Sequence, residues 1–305
     1  MRDILRRFGI LFAFILLMVV LAFLSDSFLT VNNLLNIARQ VSINAIIAAG
    51  MTFVILTFGI DLSVGSVLAF SGAIIAGLLS RGHPLVVGIG AGLLVGGLIG
   101  LVNGLIITKG GVQPFIATLG MLTIARGATL VYTDGRPITG LPDAFVWLGA
   151  GEIARIPVPV VIMTFVFAAS YVVLTQTVLG RYIYAIGGNE EATRLSGVNV
   201  AFYKTLAYVI SGALSALSAV ILTARLNSAQ PTAGMGYELD AIAAVVLGGT
   251  TLAGGEGGIA GTLLGALIIG VLNNGLNLLN VSSFYQQVVK GVVILLAVLL
   301  DRRLR

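Results

Sequence analysis

Two acidic residues, Asp61 and Glu256, are the side chains in this sequence whose surroundings could support proton or cation chemistry. Each lies in a glycine-rich interruption, with an apolar half before it and a small-residue helix after it. An acid inside a membrane segment commonly marks a proton or ion site, and broken helices in matching positions of two halves mark a transport path. Both acids are therefore candidate coupling residues. Each interruption is equally consistent with an ordinary loop, and small-residue low complexity could mimic the repeat.

The remaining residues offer little for catalysis or for binding a metal or cofactor. Cysteine is absent, and the single histidine, His83, precedes Pro84 in a predicted turn. The sequence contains no G-x-x-x-x-G-K-[ST] phosphate loop, no H-E-x-x-H motif and no G-x-S-x-G motif. We therefore expect a protein that is not an enzyme, with no catalytic residue, metal site or cofactor of its own.

A polar island at residues 179–198, LGRYIYAIGGNEEATRLSGV, separates two uncharged runs at residues 156–180 and 205–224. Runs of about 20 residues are long enough to cross the ~30 Å hydrocarbon layer of a membrane. Because the island carries four charges between two such runs, we expect it to lie in water.

The centre of this island has the signals of a short helix. Asn189 is a good N-cap, and Glu190 and Glu191 place negative charge on the first turn, where the helix dipole favours it. Glu190 and Arg194 form an i,i+4 pair, and Gly197 suits the left-handed residue that follows a helix. These features fit two interpretations, an ordinary capped loop helix or a docking helix that a cytosolic partner binds.

The composition indicates an integral membrane protein. The chain has 305 residues, of which 58% are hydrophobic and 10% charged, and its mean hydropathy is +1.07. Soluble domains carry about 25% charged residues. The 40 glycines favour a tightly packed helical bundle, because small residues let helix backbones approach closely. We expect one all-α transmembrane domain over residues 1–305, with the net charge of +5 distributed as a topology signal rather than as a nucleic-acid surface.

The apolar runs predict about ten transmembrane helices, several of them broken by glycine. They lie at about residues 8–24, 41–58, 64–79, 85–108, 114–131, 158–178, 205–223, 241–252, 259–279 and 285–300. Residues 25–40 are polar and amphipathic, which favours a separate interfacial segment between the first two spans.

Ten spans place both termini on one side of the membrane, and the distribution of basic residues identifies that side. The side of the termini holds Arg2, Arg6, Arg7, Lys109, Arg181, Arg194, Lys204, Arg302, Arg303 and Arg305. The opposite side holds Arg39, Arg81, Arg136, Arg155 and Arg225. The richer side is expected to be the cytoplasm, so a loop at about residues 179–204 is cytoplasmic and a long loop at about residues 132–157 is external.

Several long motifs occur in an order that resembles a known family. They are NAIIAAGMTFVILTFGIDLSVGS, GVQPFIATLGMLTIARG, LGRYIYAIGGNEEATRLSGV, SAQPTAGMGYELDAIAAVVLGGTTLAGG and LNNGLNLLNVSS. Together they are similar to sugar permeases of ATP-binding-cassette (ABC) importers of the ribose and xylose type, most of all to the ribose type. The resemblance extends from about residue 28 to the C-terminal tail.

The resemblance implies a permease subunit that translocates ribose or a related monosaccharide across the bacterial inner membrane, with ATP hydrolysis in a separate subunit. It implies a homodimer of permeases in membrane lipid, two cytosolic ABC ATPase subunits and an external, periplasmic sugar-binding protein, with no nucleic acid. The alternative is an ion-coupled secondary sugar transporter with Asp61 or Glu256 as its proton or sodium site. The sequence does not distinguish among the monosaccharides.

In this family the ATPase grips a short cytoplasmic helix, which the resemblance places within the polar island. The matching residues are Gly188, Asn189, Glu190, Glu191, Ala192, Thr193, Arg194, Leu195, Ser196 and Gly197. Ala192 and Leu195 would make the apolar contact, the three charged residues would form a polar rim, and Gly187 with Gly188 would let the chain turn into the helix.

A neutral, polyhydroxylated sugar needs amides and hydroxyls along its path. The candidate path residues are Asp61, Ser63, Asn103, Gln113, Asn273, Asn274 and Asn277. For each one, the alternative role is an interhelical hydrogen bond. Arg126 falls within a predicted span, so it is expected to face the bundle interior or an interface, with Asp134 as one candidate partner.

Overall fold

The computed structural model describes the backbone of residues 2–304 and the side chains of residues 9–282, 284–293 and 295. In chain order the helices are α1 (Arg2–Leu24), α2 (Val31–Leu56), α3 (Val64–Leu79), α4 (Leu85–Thr108), α5 (Pro114–Thr133), α6 (Asp143–Ala150), α7 (Val158–Gln176), α8 (Val178–Gly188), α9 (Glu190–Leu195), α10 (Val200–Leu226), α11 (Tyr237–Leu247), α12 (Ile259–Leu278) and α13 (Ser283–Leu304). The expected all-α class is confirmed. The terminal residues that supported the predicted orientation, Arg2, Arg6, Arg7, Arg302, Arg303 and Arg305, lie outside the described side chains.

Six helices are long and apolar enough to cross a membrane, judged by length and composition over the described residues. They are α2, α4, α5, α7, α10 and α12. Two shorter apolar helices occupy Gly9–Leu24 and Val64–Leu79. Six of the ten predicted spans therefore meet this criterion, and the chain is a multi-pass membrane protein.

Helix α2 forms the centre of the bundle, and α4 lies at its edge. In the most apolar 18-residue window of α2, 83% of the residues are buried within the protein, whereas 22% are buried in that of α4. Helix α10 packs against both of them. Where α4 meets α10, Gly96 faces Gly212 and Gly100 faces the backbone of Tyr208, with no room for a Cβ atom at either glycine of α4. The high glycine content therefore serves close helix packing, as the composition predicts.

The prediction of a separate interfacial segment at residues 25–40 is wrong. A turn occupies residues 25–30, and α2 then runs without interruption from Val31 to Leu56. Thr30 caps this helix, since its side-chain oxygen accepts a hydrogen bond from the backbone N–H of Asn33 at 3.4 Å. No glycine or proline separates the polar first turns from the apolar remainder, so the helix has no reason to end between them.

The segment at residues 132–157 is folded rather than extended. Helix α6 lies within it, and the buried ring of Phe145 attaches α6 to the bundle. Strand β1 (Ile138–Thr139) pairs antiparallel with β4 (Ser228–Ala229) after α10, and β2 (Glu152–Ile153) pairs antiparallel with β3 (Ile156–Pro157). The first pairing connects this segment to the polar connection that precedes α11.

Two interruptions divide apolar segments of the bundle. The first break, residues 57–63, separates α2 from α3, and the second break, residues 248–258, separates α11 from α12. Helices α3 and α11 are only 16 and 11 residues long. At the rise of an α-helix, neither alone spans the ~30 Å apolar layer. The helices are therefore interrupted at both of the positions where the sequence predicts a glycine-rich break.

Candidate functional site

Helix α9 is the short capped helix that the sequence predicts. Asn189 precedes it in an extended conformation, and its Oδ1 atom accepts a hydrogen bond from the backbone N–H of Ala192 at 2.9 Å. Gly197 follows the helix with a φ of +83°, in the left-handed region that favours glycine. Both caps use residues from within the segment, so α9 is specified locally.

The charged side chains of α9 pair differently from the predicted i,i+4 arrangement. Glu190 accepts a hydrogen bond from Lys204 Nζ at 2.8 Å, and Arg194 pairs with Glu191 instead. The side chain of Lys204 is 10% exposed and lies on the first turns of α10, so Glu190 neutralises an ammonium group that is largely removed from water. The hydrogen bond from Arg194 to Glu191, with the negative charge of Glu191, raises the pKa of the Arg194 guanidinium, which stays charged at physiological pH.

The outward face of α9 combines an apolar side chain with polar neighbours. Leu195 is 79% exposed, and Ala192 is also exposed one turn before it. Thr193 points inward, where its hydroxyl donates to the carbonyl oxygen of Asn189 at 2.8 Å. The outward face of α9 thus presents an apolar side chain beside the ion pair of Glu191 and Arg194.

The predicted set 188–197 begins two residues before this helix. Gly188 is the last residue of α8, and the chain turns at Asn189 rather than at the two glycines. Neither Gly187 nor Gly188 has a left-handed φ. The prediction that these glycines form the turn is therefore wrong.

A buried hydrogen-bond network occupies the first break. Asp61, which is 1% exposed, accepts hydrogen bonds from the backbone N–H and the hydroxyl of Ser63 at 3.0 and 2.6 Å, and from the Ser211 hydroxyl at 2.8 Å. Asn103 Nδ2 donates to the Ser63 hydroxyl at 2.9 Å. The structure thus brings together three of the predicted path residues, Asp61, Ser63 and Asn103. All three are buried in a network that ties the start of α3 to α4 and α10.

The other predicted path residues lie elsewhere. Asn274 exchanges two hydrogen bonds with Asn33 of α2, at 2.9 and 3.0 Å, and Asn277 accepts from Gln286 Nε2 at 2.7 Å. Asn273 is buried and Gln113 is exposed at the start of α5. Asn274 and Asn277 thus hold pairs of helices together, and in the described part of the chain none of the four amides joins the Asp61 network.

Arg126 does not pair with Asp134. Its Nη1 atom donates to the carbonyl oxygens of Pro231 and Ala233, both at 2.8 Å. Asp134 instead ends α5 in a left-handed conformation. Arg126 is half-buried and holds the loop that precedes α11, so the choice between an interior and an interfacial position stays open. This contact had a signal in the sequence, namely the proline and glycines of that loop, because they leave carbonyl groups without helical partners.

Sequence reasoning also missed a charge pair inside the bundle. Lys290 of α13 donates to Asp240 of α11 at 3.0 Å, and Asn44 of α2 lies 3.4 Å from the same carboxylate. Over the described residues no cluster of three histidines, cysteines or acids could hold a metal ion.

Comparisons with known proteins give a consistent result. A family model described as "Branched-chain amino acid transport system / permease component" matches residues 33–298. None of the solved structures matches the chain.

Three curated relatives illustrate the similarity. The ribose import permease protein RbsC of Escherichia coli (strain K12) is 57% identical over 297 residues, covering 96% of this chain and 92% of the relative. The ribose import permease protein RbsC of Bacillus subtilis (strain 168) is 56% identical over 303 residues, covering 99% and 94%. The D-allose transport system permease protein AlsC of E. coli (strain K12) is 43% identical over 298 residues, covering 97% and 91%.

Proposed function

Since this chain belongs to the family of branched-chain amino acid transport system / permease components, we propose that it is the subunit through which ribose crosses the membrane in an ABC importer. A permease component is a transport subunit and not an enzyme. Membership in the family implies association with an ATPase and a periplasmic binding protein. The observation that carries the choice of ribose is the 56–57% identity to permeases named for ribose, against 43% to the one named for D-allose.

The proposed topology has ten membrane crossings with both termini in the cytoplasm of a bacterial inner membrane. Helices α1 and α13, and helices α3 and α11 each extended by the irregular segment beside it, would supply the four crossings beyond the six long apolar helices. Two copies of the chain, embedded in lipid, would enclose the sugar path between them. The excess of arginine and lysine on the side of the termini supports this orientation.

Within this topology α9 is the proposed docking helix for the ATPase. Its support is the exposed Leu195, the rim formed by Glu191 and Arg194, and the ion pair of Glu190 with Lys204 that fixes α9 against α10. A docking helix must be held firmly on its own subunit if it is to transmit force, and this ion pair supplies such an attachment.

The ion-coupled alternative finds no support. Asp61 is enclosed by three hydrogen-bond donors, and Glu256 is exposed in the second break. Over the described residues, neither position shows the group of converging, solvent-accessible acids that a proton or sodium path requires.

Uptake of labelled sugar tests the proposed substrate. The permease is reconstituted in proteoliposomes with the ATPase and the binding protein of its importer, and ATP is enclosed on the ATPase side. Labelled ribose should accumulate only with ATP, and unlabelled ribose should compete better than allose or arabinose. Accumulation driven by an ion gradient without ATP, or a preference for another sugar, would contradict the proposal.

The docking role is tested by Leu195→Glu, which places a charge in the proposed apolar contact. We expect the ATPase to dissociate during purification, with an affinity loss of roughly tenfold or more, as for a buried apolar contact worth about 2 kcal/mol. Leu195→Met is the control, since it keeps an apolar side chain of similar volume at the same position. Full ATPase retention by the Leu195 variant would refute the assignment of α9.

A further inference from the structure

The two breaks, which are about 190 residues apart in the chain, meet at the end of α8. The backbone N–H of Gly255 in the second break donates to the carbonyl oxygen of Leu56 at the end of α2, at 3.0 Å. The hydroxyl of Tyr184 in α8 donates to the carbonyl oxygen of Gly257 at 2.9 Å. Helix α8 directly precedes the proposed docking helix, so one short element contacts the second break and Leu56, the residue that directly precedes the first break.

Glycines bring the three backbones into direct contact. A Cβ atom at Gly187 would collide with Leu56 O and with the backbone of Gly255. A Cβ atom at Gly254 would lie 2.9 Å from the backbone nitrogen of Phe58 and 3.1 Å from the Cα atom of Gly187. We call Leu56, Gly187, Gly254 and Gly255 the glycine joint. Its surfaces are backbone on backbone, so no side-chain rotation can absorb a displacement of α8.

A strained residue lies directly beside the joint. Phe58 has a φ of +59°, a conformation that bulky residues rarely adopt, and its side chain is 63% exposed. Such strain costs on the order of 1–3 kcal/mol and persists where the surroundings enforce it, commonly at switch regions. Here the positive φ closes α2, since the Phe58 N–H donates to the carbonyl oxygen of Ile55 at 2.9 Å and the Gly59 N–H donates to that of Val54 at 3.1 Å. Gly254 packs against the backbone of this cap.

We propose that the glycine joint transmits the movement of the docking helix to both breaks at once, with Gly187 and Tyr184 as positioning residues for coupled transport. The proposal rests on the docking role of α9. A shift of α8 displaces Leu56 and Gly255 together, because a single glycine contact joins them. Each break then moves the start of the short helix or span that follows it, α3 from the first break and α12 from the second. The movement that ATP hydrolysis causes in the partner would thereby be transmitted to two parts of the path in one step.

The closing experiment compares Gly187→Ala with Gly188→Ala in the reconstituted complex. Both changes replace glycine by alanine at the end of α8, with the same gain in helix propensity. A Cβ atom at Gly188 meets nothing within 4 Å, whereas one at Gly187 enters the joint. We measure ribose uptake and ATP hydrolysis in the same vesicles. The uptake per ATP should fall by about five- to a hundredfold in the Gly187 variant, the range of a typical coupling free energy, and stay at the unsubstituted ratio in the Gly188 variant.

A second pair of variants is compared if the Gly187→Ala variant does not assemble with its partners. Tyr184→Phe removes the hydrogen bond to Gly257 without adding volume, and Tyr182→Phe makes the same change on the same helix at a ring that packs on Tyr203. Uptake per ATP should fall roughly two- to tenfold in the first variant only.

Each outcome decides one proposal. The proposed role of the glycine joint would be rejected if Gly187→Ala and Tyr184→Phe both kept the uptake per ATP of the unsubstituted complex. It would also be rejected if Gly188→Ala lowered uptake per ATP as much as Gly187→Ala. Loss of the ATPase from every variant and from the unsubstituted complex, or no ribose uptake by the unsubstituted complex, would instead reject the proposed function.

Discussion

The first and second breaks each carry one acid close to glycine, yet the two acids lie in opposite environments. Asp61 is 1% exposed and accepts three hydrogen bonds, two from Ser63 and one from Ser211. Glu256 is exposed, and its backbone carbonyl, not its side chain, takes part in the loop by accepting from the Thr251 N–H at 3.1 Å. Asp61 therefore anchors the first break, whereas Glu256 only lies within the second.

The difference shows that the neighbouring helices, rather than the local pattern, decide what a break does. Helices α4 and α10 cover the first break and supply Asn103 and Ser211 to its network. The second break is packed through its glycines against Leu56 and Gly187 instead. A carboxylate is retained inside a bundle only where donors satisfy it, and this condition holds at Asp61.

The largest effect that separates the two breaks is expected for Asp61→Ala. The change leaves the Ser63 N–H, the Ser63 hydroxyl and the Ser211 hydroxyl without their acceptor. At about 1–3 kcal/mol for each buried unsatisfied group, less what hydroxyl rotation recovers, we expect a loss of about 3 kcal/mol in unfolding free energy. Thermal unfolding of the purified permease in detergent measures it. Asp26→Ala, at an exposed acid in the turn after α1, is the control. Equal midpoints for the two variants would show that the network does not anchor the first break.

Asp61→Asn should have a smaller effect, because the amide keeps the shape and one acceptor oxygen. We expect a loss of about 1–2 kcal/mol in stability and continued ATP-driven uptake in proteoliposomes without an ion gradient. The uptake assay distinguishes an anchoring carboxylate from an ion-coupling one. Complete loss of uptake by a variant that still assembles with its ATPase would restore the ion-coupled interpretation of Asp61.

The sequence allowed correct prediction of both caps of α9, where the interactions are local. Asn189 caps α9 through a residue three positions away, and Gly197 closes the same helix, so both were readable from spacing. The i,i+4 pair of Glu190 with Arg194 failed because Lys204 lies 14 residues away, and only the fold of α10 brings it to Glu190.

The polar residues inside the bundle could be identified as important but not assigned partners. Asp61 meets Ser211 across 150 residues of chain, and Asn33 meets Asn274 across 241. Periodicity and composition place such residues in apolar segments, but they do not specify which helix faces them. For the same reason, the sequence pattern raised the amides as path residues, whereas Asn274 and Asn277 hold pairs of helices together.

A third prediction isolates the contribution of α10 to the first break. Ser211→Ala removes one of the three donors to Asp61, and we expect a loss of about 1 kcal/mol in stability. Ser215→Ala is a matched control one turn along the same helix, since the Ser215 hydroxyl donates only to the carbonyl oxygen of Ser211. Both side chains are fully buried, so the difference between the two variants reports the bond to Asp61. A larger loss in the Ser215 variant would assign the effect to helix packing.

The smallest effect is expected for Glu256→Ala, which makes at the second break the change that Asp61→Ala makes at the first. An exposed side chain without a role in packing contributes within about 0.5 kcal/mol to stability, and the glycine contacts of the second break with Leu56 and Gly187 do not involve the carboxylate. Thermal unfolding should therefore be unchanged, and uptake of ribose per ATP should equal that of the unsubstituted complex. If Glu256→Ala keeps its stability but loses uptake, the carboxylate must act on a partner or on the sugar itself. The two breaks would then differ in chemistry as well as in burial, with the exposed acid as the functional one.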